Sequence, residues 1–202
     1  MSLTDNGRNA MLTGGLGNVI AYLSKHTAIP DTSGSNETSG GSYARQAITW
    51  AAASGGTRAN SGALTTPIAA ATTIVATGFW SAVTTGTFYG WAPIGSTKKG
   101  YGSATASTDT IQSKGHGLSN TNRVCVSIAA ETLPTGLSAT VLYYVVGATT
   151  DTFQLSLTSG GSAVDITADG EMFWQDCVPE VFGSAGNITE AIGAVVLDAS
   201  IG

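Results

Sequence analysis

Short runs of alternating apolar and polar residues recur along the chain, separated by turns rich in glycine, serine and threonine. Alternation with a period of two is typical of strands that bury one face. In residues 43–52, for example, Ile48 and Trp50 fall on one face, and Tyr43 and Arg45 fall on the other. The pattern therefore predicts an all-β fold built from many short strands.

The chain contains one predicted helix and two sets of predicted strands. The helix covers residues 5–12, begins after Thr4 as its N-cap and ends before two glycines. The first set of strands covers residues 18–25, 43–52, 63–70, 72–82 and 87–92. A linker is predicted over 95–107. The second set covers residues 110–113, 123–129, 141–146, 152–157, 163–166 and 171–174, and a last strand pair falls within 187–199.

The regular spacing of the second set indicates a small barrel or sandwich. The first set lacks a closing strand before Gly95, and the segment after Cys177 can supply it. We therefore predict a β-sandwich base domain, with the short helix, from residues 1–97 plus 178–202. An inserted β module, residues 98–177, interrupts this base, since insertions are tolerated at exposed hairpin tips.

Charged residues make up only 10% of the 202 residues, against about 25% in typical soluble domains. A surface poor in charge suits a protein that lies against copies of itself or fixed neighbours, because burying uncharged groups avoids the desolvation of ions. The net charge of −5, with no basic stripe, argues against a nucleic-acid partner. The most apolar stretch, residues 69–83, is too short and too polar for membrane insertion.

Candidate chemistry is sparse. His26 and His116 have no second ligand at a metal-binding spacing, and no nucleophile-elbow motif occurs. We therefore predict no catalytic residue, no metal and no cofactor, and hence no enzyme. A hydrolase remains an alternative that requires two carboxylates about 5–10 Å apart in the fold. Cys125 and Cys177 are too few for a disulfide scaffold, and the sequence leaves open whether they are free thiols or one bridge.

Three segments, residues 20–27, 40–46 and 78–81, together resemble the N-terminal domain of tail fibre and minor tail proteins of siphophages. The most specific is the run Gly-Gly-Ser-Tyr-Ala-Arg-Gln. The middle of the chain is similar to a β module of phage tail and particle proteins, through residues 115–118, 133–134, 143–146, 151–156 and 160–164. A collagen-like or coiled-coil shaft is missing from the sequence. The resemblance therefore implies a collar, adaptor or decorating subunit and not a full-length fibre.

The resemblance and the low charge together predict a structural component of a bacteriophage virion, at the tail tip, collar or fibre base, made in the host cytoplasm. Its expected partners are copies of itself, as a trimer or closed ring, and other tail or particle proteins. The alternatives are a capsid decoration protein and a receptor-binding module for a host surface glycan. Tyr and Arg are enriched at interface hot spots, and Trp is frequent in cores and interfaces. The predicted interface residues are Tyr43, Arg45, Trp80 and Trp91.

Overall fold

The computed structural model describes residues 4–199. Helix α1 spans Asp5–Gly14, and the Thr4 side chain accepts a hydrogen bond from Gly7 N at 3.3 Å, which confirms the predicted helix and its cap. A single turn, α2, follows at Leu16–Val19. No helix within residues 4–199 has the length and hydropathy needed to cross a bilayer.

Sixteen strands and one 3₁₀ turn make up the rest of the regular structure within residues 4–199. The first seven are β1 Tyr22–His26, β2 Gln46–Ala47, β3 Thr57–Ala59, β4 Leu64–Ile68, β5 Thr72–Ile74, β6 Ala76–Trp80 and β7 Phe88–Pro93. The next six are β8 Lys99–Thr105, β9 Thr110–Gln112, β10 Arg123–Ile128, β11 Tyr143–Val146, β12 Thr152–Ser156 and β13 Gly170–Cys177, with the 3₁₀ turn at Ala106–Thr108. The last three are β14 Glu180–Phe182, β15 Gly186–Glu190 and β16 Val196–Asp198.

The first seven and last three strands form the base. One antiparallel sheet has the order β2-β1-β6-β7. Three two-stranded ribbons join early strands to late ones in reverse order, as β3 with β16, β4 with β15 and β5 with β14. The register of β4 and β15 places Leu64 opposite Glu190 and Thr66 opposite Ile188. The final strands thus complete pairs whose first members lie more than a hundred residues earlier.

Strands β8 to β13 close into a six-stranded barrel in the order β10-β11-β12-β9-β8-β13. Its interior is filled by large apolar side chains that are almost fully buried, chiefly Ile111, Tyr143, Val145, Phe153, Met172 and Trp174. The Trp174 indole N–H donates to Ser113 Oγ at 2.9 Å, so the one polar atom of this ring is satisfied. The prediction of an all-β chain that carries a small barrel is confirmed.

The predicted linker over 95–107 is wrong, because it contains β8, the longest barrel strand but one. Its glycines, which suggested a linker, let the backbone approach the core. A Cβ at Gly100 would lie 2.7 Å from the Trp174 ring, and one at Gly102 would lie 2.7 Å from Ile111. Glycine here reflects close packing between a strand and a large side chain.

Other strand boundaries also differ from the prediction. Residues 18–19 belong to α2, and residues 43–52 contain only the short β2 and an isolated bridge at Trp50. Residues 163–166 form no strand, although Val164 N still donates to Leu155 O at 2.7 Å. The predicted last pair is two strands, β15 and β16, that pair with β4 and β3 and not with each other.

The barrel joins the base at one place. Val178 N donates to Ile94 O at 3.0 Å, and the Asp176 carboxylate accepts from the backbone of Thr97 and Lys98 at 2.8 Å. Both connections between barrel and base therefore lie side by side.

The two cysteines line this junction as free, buried thiols. The Cys177 thiol donates to Val75 O, with an S–O distance of 3.2 Å, and Cys125 packs in the same apolar cluster. Burial raises the pKa of Cys125 to about 12 and that of Cys177 to about 11. Both thiols stay protonated at neutral pH, so they act as small apolar side chains with a weak donor.

Candidate functional site

Arg45 ties the loop before β2 to the turn between β6 and β7. Its guanidinium donates to both oxygens of Glu37, at 2.9 Å and 2.7 Å, and to the carbonyls of Ala82 and Thr85, at 3.0 Å and 2.7 Å. The guanidinium carbon also lies 3.5 Å from the centre of a Trp80 ring. Arg45 thus uses the planar fork of its side chain on a carboxylate, two carbonyls and an aromatic face at once.

Tyr43 extends this arrangement into β1. Its hydroxyl accepts from Lys25 N at 3.0 Å and donates to Glu37 Oε1 at 2.8 Å. Burial, followed by the Glu37 carboxylate, raises the pKa of Tyr43 well above its usual value. Tyr43, Arg45 and Trp80 therefore form one connected group whose polar atoms bond within the chain.

A buried chain of hydrogen bonds lies under Trp80. The Trp80 indole N–H donates to Ser24 Oγ at 2.9 Å, the Ser24 hydroxyl bonds His26 Nε2 at 2.6 Å, and His26 Nδ1 bonds Ser35 O at 2.8 Å. Every bond is satisfied when His26 is neutral with its proton on Nδ1. A Cβ at Gly78 would clash with Ser24 Oγ, so this chain of hydrogen bonds requires a glycine at that position of β6.

This network predicts a decrease in stability at acidic pH. Burial lowers the pKa of His26 below its model-peptide value of 6.5, while the Ser35 carbonyl opposes the shift. Above pH 6.5 His26 is neutral in both states. Below it the unfolded chain binds a proton that the folded chain excludes until the pH reaches the lowered pKa of His26, so the free energy of unfolding falls as the pH decreases.

Urea unfolding between pH 7.5 and pH 5 measures this effect. We expect H26Q to reduce the slope of the free energy of unfolding against pH below that of the wild type. Equal slopes for the wild type and H26Q would contradict the assignment.

Trp91 lies apart from the other three predicted interface residues. It is half-buried on β7, where it packs against the apolar cluster at the junction between barrel and base. A groove runs along this junction, lined by Tyr89 and Trp91 on the base and Ser127 on the barrel. The assignment of Tyr43, Arg45, Trp80 and Trp91 to a subunit interface stays a prediction.

An aromatic recess, which the sequence analysis missed, lies on the outer face of the barrel. Tyr101 and Phe173 are 46% and 49% exposed, and their rings meet edge to face with centroids 5.9 Å apart. Ser127 lines both this recess and the groove beside Trp91. A hydrogen bond to Glu171 raises the pKa of the Tyr101 phenol. Along β8 and β13, exposed Tyr101 and Phe173 are followed by buried Gly102 and Trp174. This alternation is the sequence signal that could have placed the two aromatic rings on the outer face of the barrel.

Four exposed apolar side chains lie on β14 and β16 or in the segments next to the last three strands, and we call this set the tail surface. It consists of Val178, Val181, Ile192 and Val196, which are 49–73% exposed. A cavity of about 450 Å³ opens beside Val196 and carries two carboxylates, those of Glu180 and Glu190.

A buried ion pair lies behind this cavity. The Lys25 side chain is fully buried, donates to Thr77 Oγ1 at 2.8 Å and forms an ion pair with Glu190 Oε1. Burial lowers the pKa of Lys25 from its ordinary value, and the charge of Glu180 opposes this shift. Nothing in the sequence indicated this pair, because 165 positions separate its members.

The arrangement offers little for catalysis or metal binding. Within residues 4–199, no group of three or more His, Cys, Asp or Glu could hold a metal ion. Ser24 and His26 are residue types that serve as nucleophile and base in hydrolases, but here both are fully buried. His26 Nδ1 also bonds the Ser35 carbonyl, whereas a catalytic triad has a carboxylate at this position. Glu180 and Glu190 do share a cavity, although Lys25 engages one of them. The absence of enzyme activity stays a prediction.

No curated protein and no solved structure matches the chain. One protein family does match, described as Podophage GP4 fiber I protein gp80, over residues 18–130. That match covers more than half of the chain and runs from β1 through β10. The predicted phage fibre type is confirmed at this level, and the match is to a podophage fibre instead of a siphophage minor tail protein. The chain therefore belongs to the family of Podophage GP4 fiber I protein gp80, a family of phage structural proteins.

Proposed function

We propose that the chain is a non-enzymatic subunit at the fibre base or tail tip of a phage, where identical copies assemble into a trimer or closed ring. The family match supports a place in a phage fibre. The observation that carries the assembly is the tail surface, where four apolar side chains are largely exposed on the last three strands and their connections. Covering them with a second copy removes apolar area from water.

The scarcity of charge supports the same proposal. With 10% charged residues, a contact between copies buries few ions, so little of the gain from apolar burial is lost to desolvation. Closed symmetry then limits the assembly to a defined number of copies.

The mass of the purified protein in solution tests this proposal. We expect a species several times heavier than the 20.3 kDa chain. The double variant V181N/I192N adds no charge, and we expect its assembly to have a dissociation constant at least about tenfold higher. Burial of each of the two aliphatic side chains contributes about 1.5–3 kcal/mol. A matched control is L157N, since Leu157 is 64% exposed on the barrel.

A monomeric wild type at micromolar concentration would contradict the assembly. Equal dissociation of V181N/I192N and L157N would contradict the role of the tail surface. Electron cryo-microscopy of intact particles tests the position, and density confined to the head would refute the fibre base.

A second function, recognition of a host surface glycan, is favoured by the aromatic recess of Tyr101 and Phe173. Exposed aromatic faces beside hydroxyl groups are suited to sugar rings, and Ser127 supplies a hydroxyl beside Phe173. Binding on a glycan array that F173A abolishes and L157A retains would support this function. An array without binding would exclude it.

A further inference from the structure

The cavity beside the tail surface has an excess of negative charge. Glu180 and Glu190 are the charged residues of its lining, and Lys25 lies behind Glu190 and Thr77. Two carboxylates thus face one ammonium group. One negative charge at this place has no counterpart among the described lining residues.

Two buried polar atoms near the cavity also have no hydrogen-bond partner among the described residues. One is Glu190 Oε2, the carboxylate oxygen that Lys25 does not use. The other is Thr66 Oγ1, on a residue only 1% exposed. Thr66 pairs with Ile188, which lines the cavity, so its side chain projects from the same face of the ribbon as Ile188 and Glu190. A buried carboxylate oxygen without a donor is unfavourable, so Glu190 Oε2 requires one.

The remaining walls are mostly apolar, with Ser96 and Gln175 as additional polar lining residues. Phe79, Ile94 and Ile188 line the cavity together with Pro93 and Val195. A ligand that fits must therefore carry hydrogen-bond donors and positive charge at its tip and an apolar stem behind it. Arginine and lysine side chains have this composition.

We propose that this cavity binds the cationic side chain of an arginine or lysine from a neighbouring protein subunit. The identity of the occupant rests on the proposed assembly, whereas the preference for a cation rests on the cavity alone. The guanidinium fork suits the site best, because it can donate to Glu190 Oε2 and Glu180 at the same time. The methylene groups of the stem lie against the apolar walls.

The probe is N-acetyl-arginine amide, and the uncharged isostere N-acetyl-citrulline amide is its control. Binding is followed by backbone amide shifts of Thr77 and Val195, in the V181N/I192N variant so that no second copy covers the cavity. We expect saturable binding of the arginine probe at millimolar concentration, and at least about tenfold weaker binding of the citrulline probe.

Variants locate the site. E180Q removes an exposed carboxylate at the cavity and keeps both members of the buried ion pair, and it should weaken binding about fivefold. E131Q removes an exposed carboxylate of the barrel and should leave binding unchanged. Equal affinity for both probes, or no effect of E180Q, would overturn the inference and leave solvent as the donor for Glu190.

The two proposals fail separately. If the wild type assembles but the V181N/I192N variant does not bind the arginine probe, only the cation site is contradicted. A chain that binds arginine but stays monomeric contradicts only the assembly.

Discussion

Replacing Glu190 with alanine is expected to lower the free energy of unfolding by about 3–5 kcal/mol. The substitution leaves the Lys25 ammonium fully buried with Thr77 as its remaining side-chain partner. A buried charge without its counter-ion is far less stable than the same charge in water. The substitution also removes the ion pair that links the end of β15 to β1. Urea unfolding at neutral pH measures the loss.

The double variant K25M/E190Q is the matched control. It removes both charges and keeps the apolar stem of Lys25, so at least half of the lost stability should return. If K25M/E190Q is as unstable as E190A, the effect of Glu190 arises from packing and not from the ion pair.

Replacing Arg45 with alanine should lower the free energy of unfolding by about 2–4 kcal/mol, the second largest effect. The variant loses the bidentate contact with Glu37, two bonds to carbonyls and the contact with the Trp80 ring. It also leaves Glu37, whose side chain is 21% exposed, without its cation.

R45K is the control for Arg45, because it keeps the charge and loses the fork. We expect an intermediate loss. A change below about 0.5 kcal/mol for R45A, which is typical of surface substitutions, would show that the loop before β2 is held by other contacts.

The local parts of the fold could be predicted from the sequence. The cap at Thr4 and the two strands predicted within 72–82 and 87–92, which pair as β6 and β7, depend on neighbouring residues, and each of them is present in the structure. The pattern of neighbouring residues is enough to predict a strand pair when both strands belong to one hairpin.

The long-range parts could not be predicted, for a physical reason. Whether residues 99–105 form a strand depends on the Trp174 ring, which only the closed barrel brings over Gly100. From the sequence, Lys25 is expected to be a surface residue of a strand, and it is buried because Glu190 at the end of β15 packs against it. Tyr43 and Arg45 were recognised as important by type, but their partner Glu37 and the carbonyls they bond depend on the loop conformation.

The reversed pairing of the ribbons has a consequence for synthesis on the ribosome. Strands β3, β4 and β5 are made early, yet their partners span residues 180–198 and are made last. The barrel is complete once Cys177 has emerged, so it can close while the base still has open edges. A nascent chain stalled between these points exposes three unpaired strand edges, which are available to any neighbouring chain.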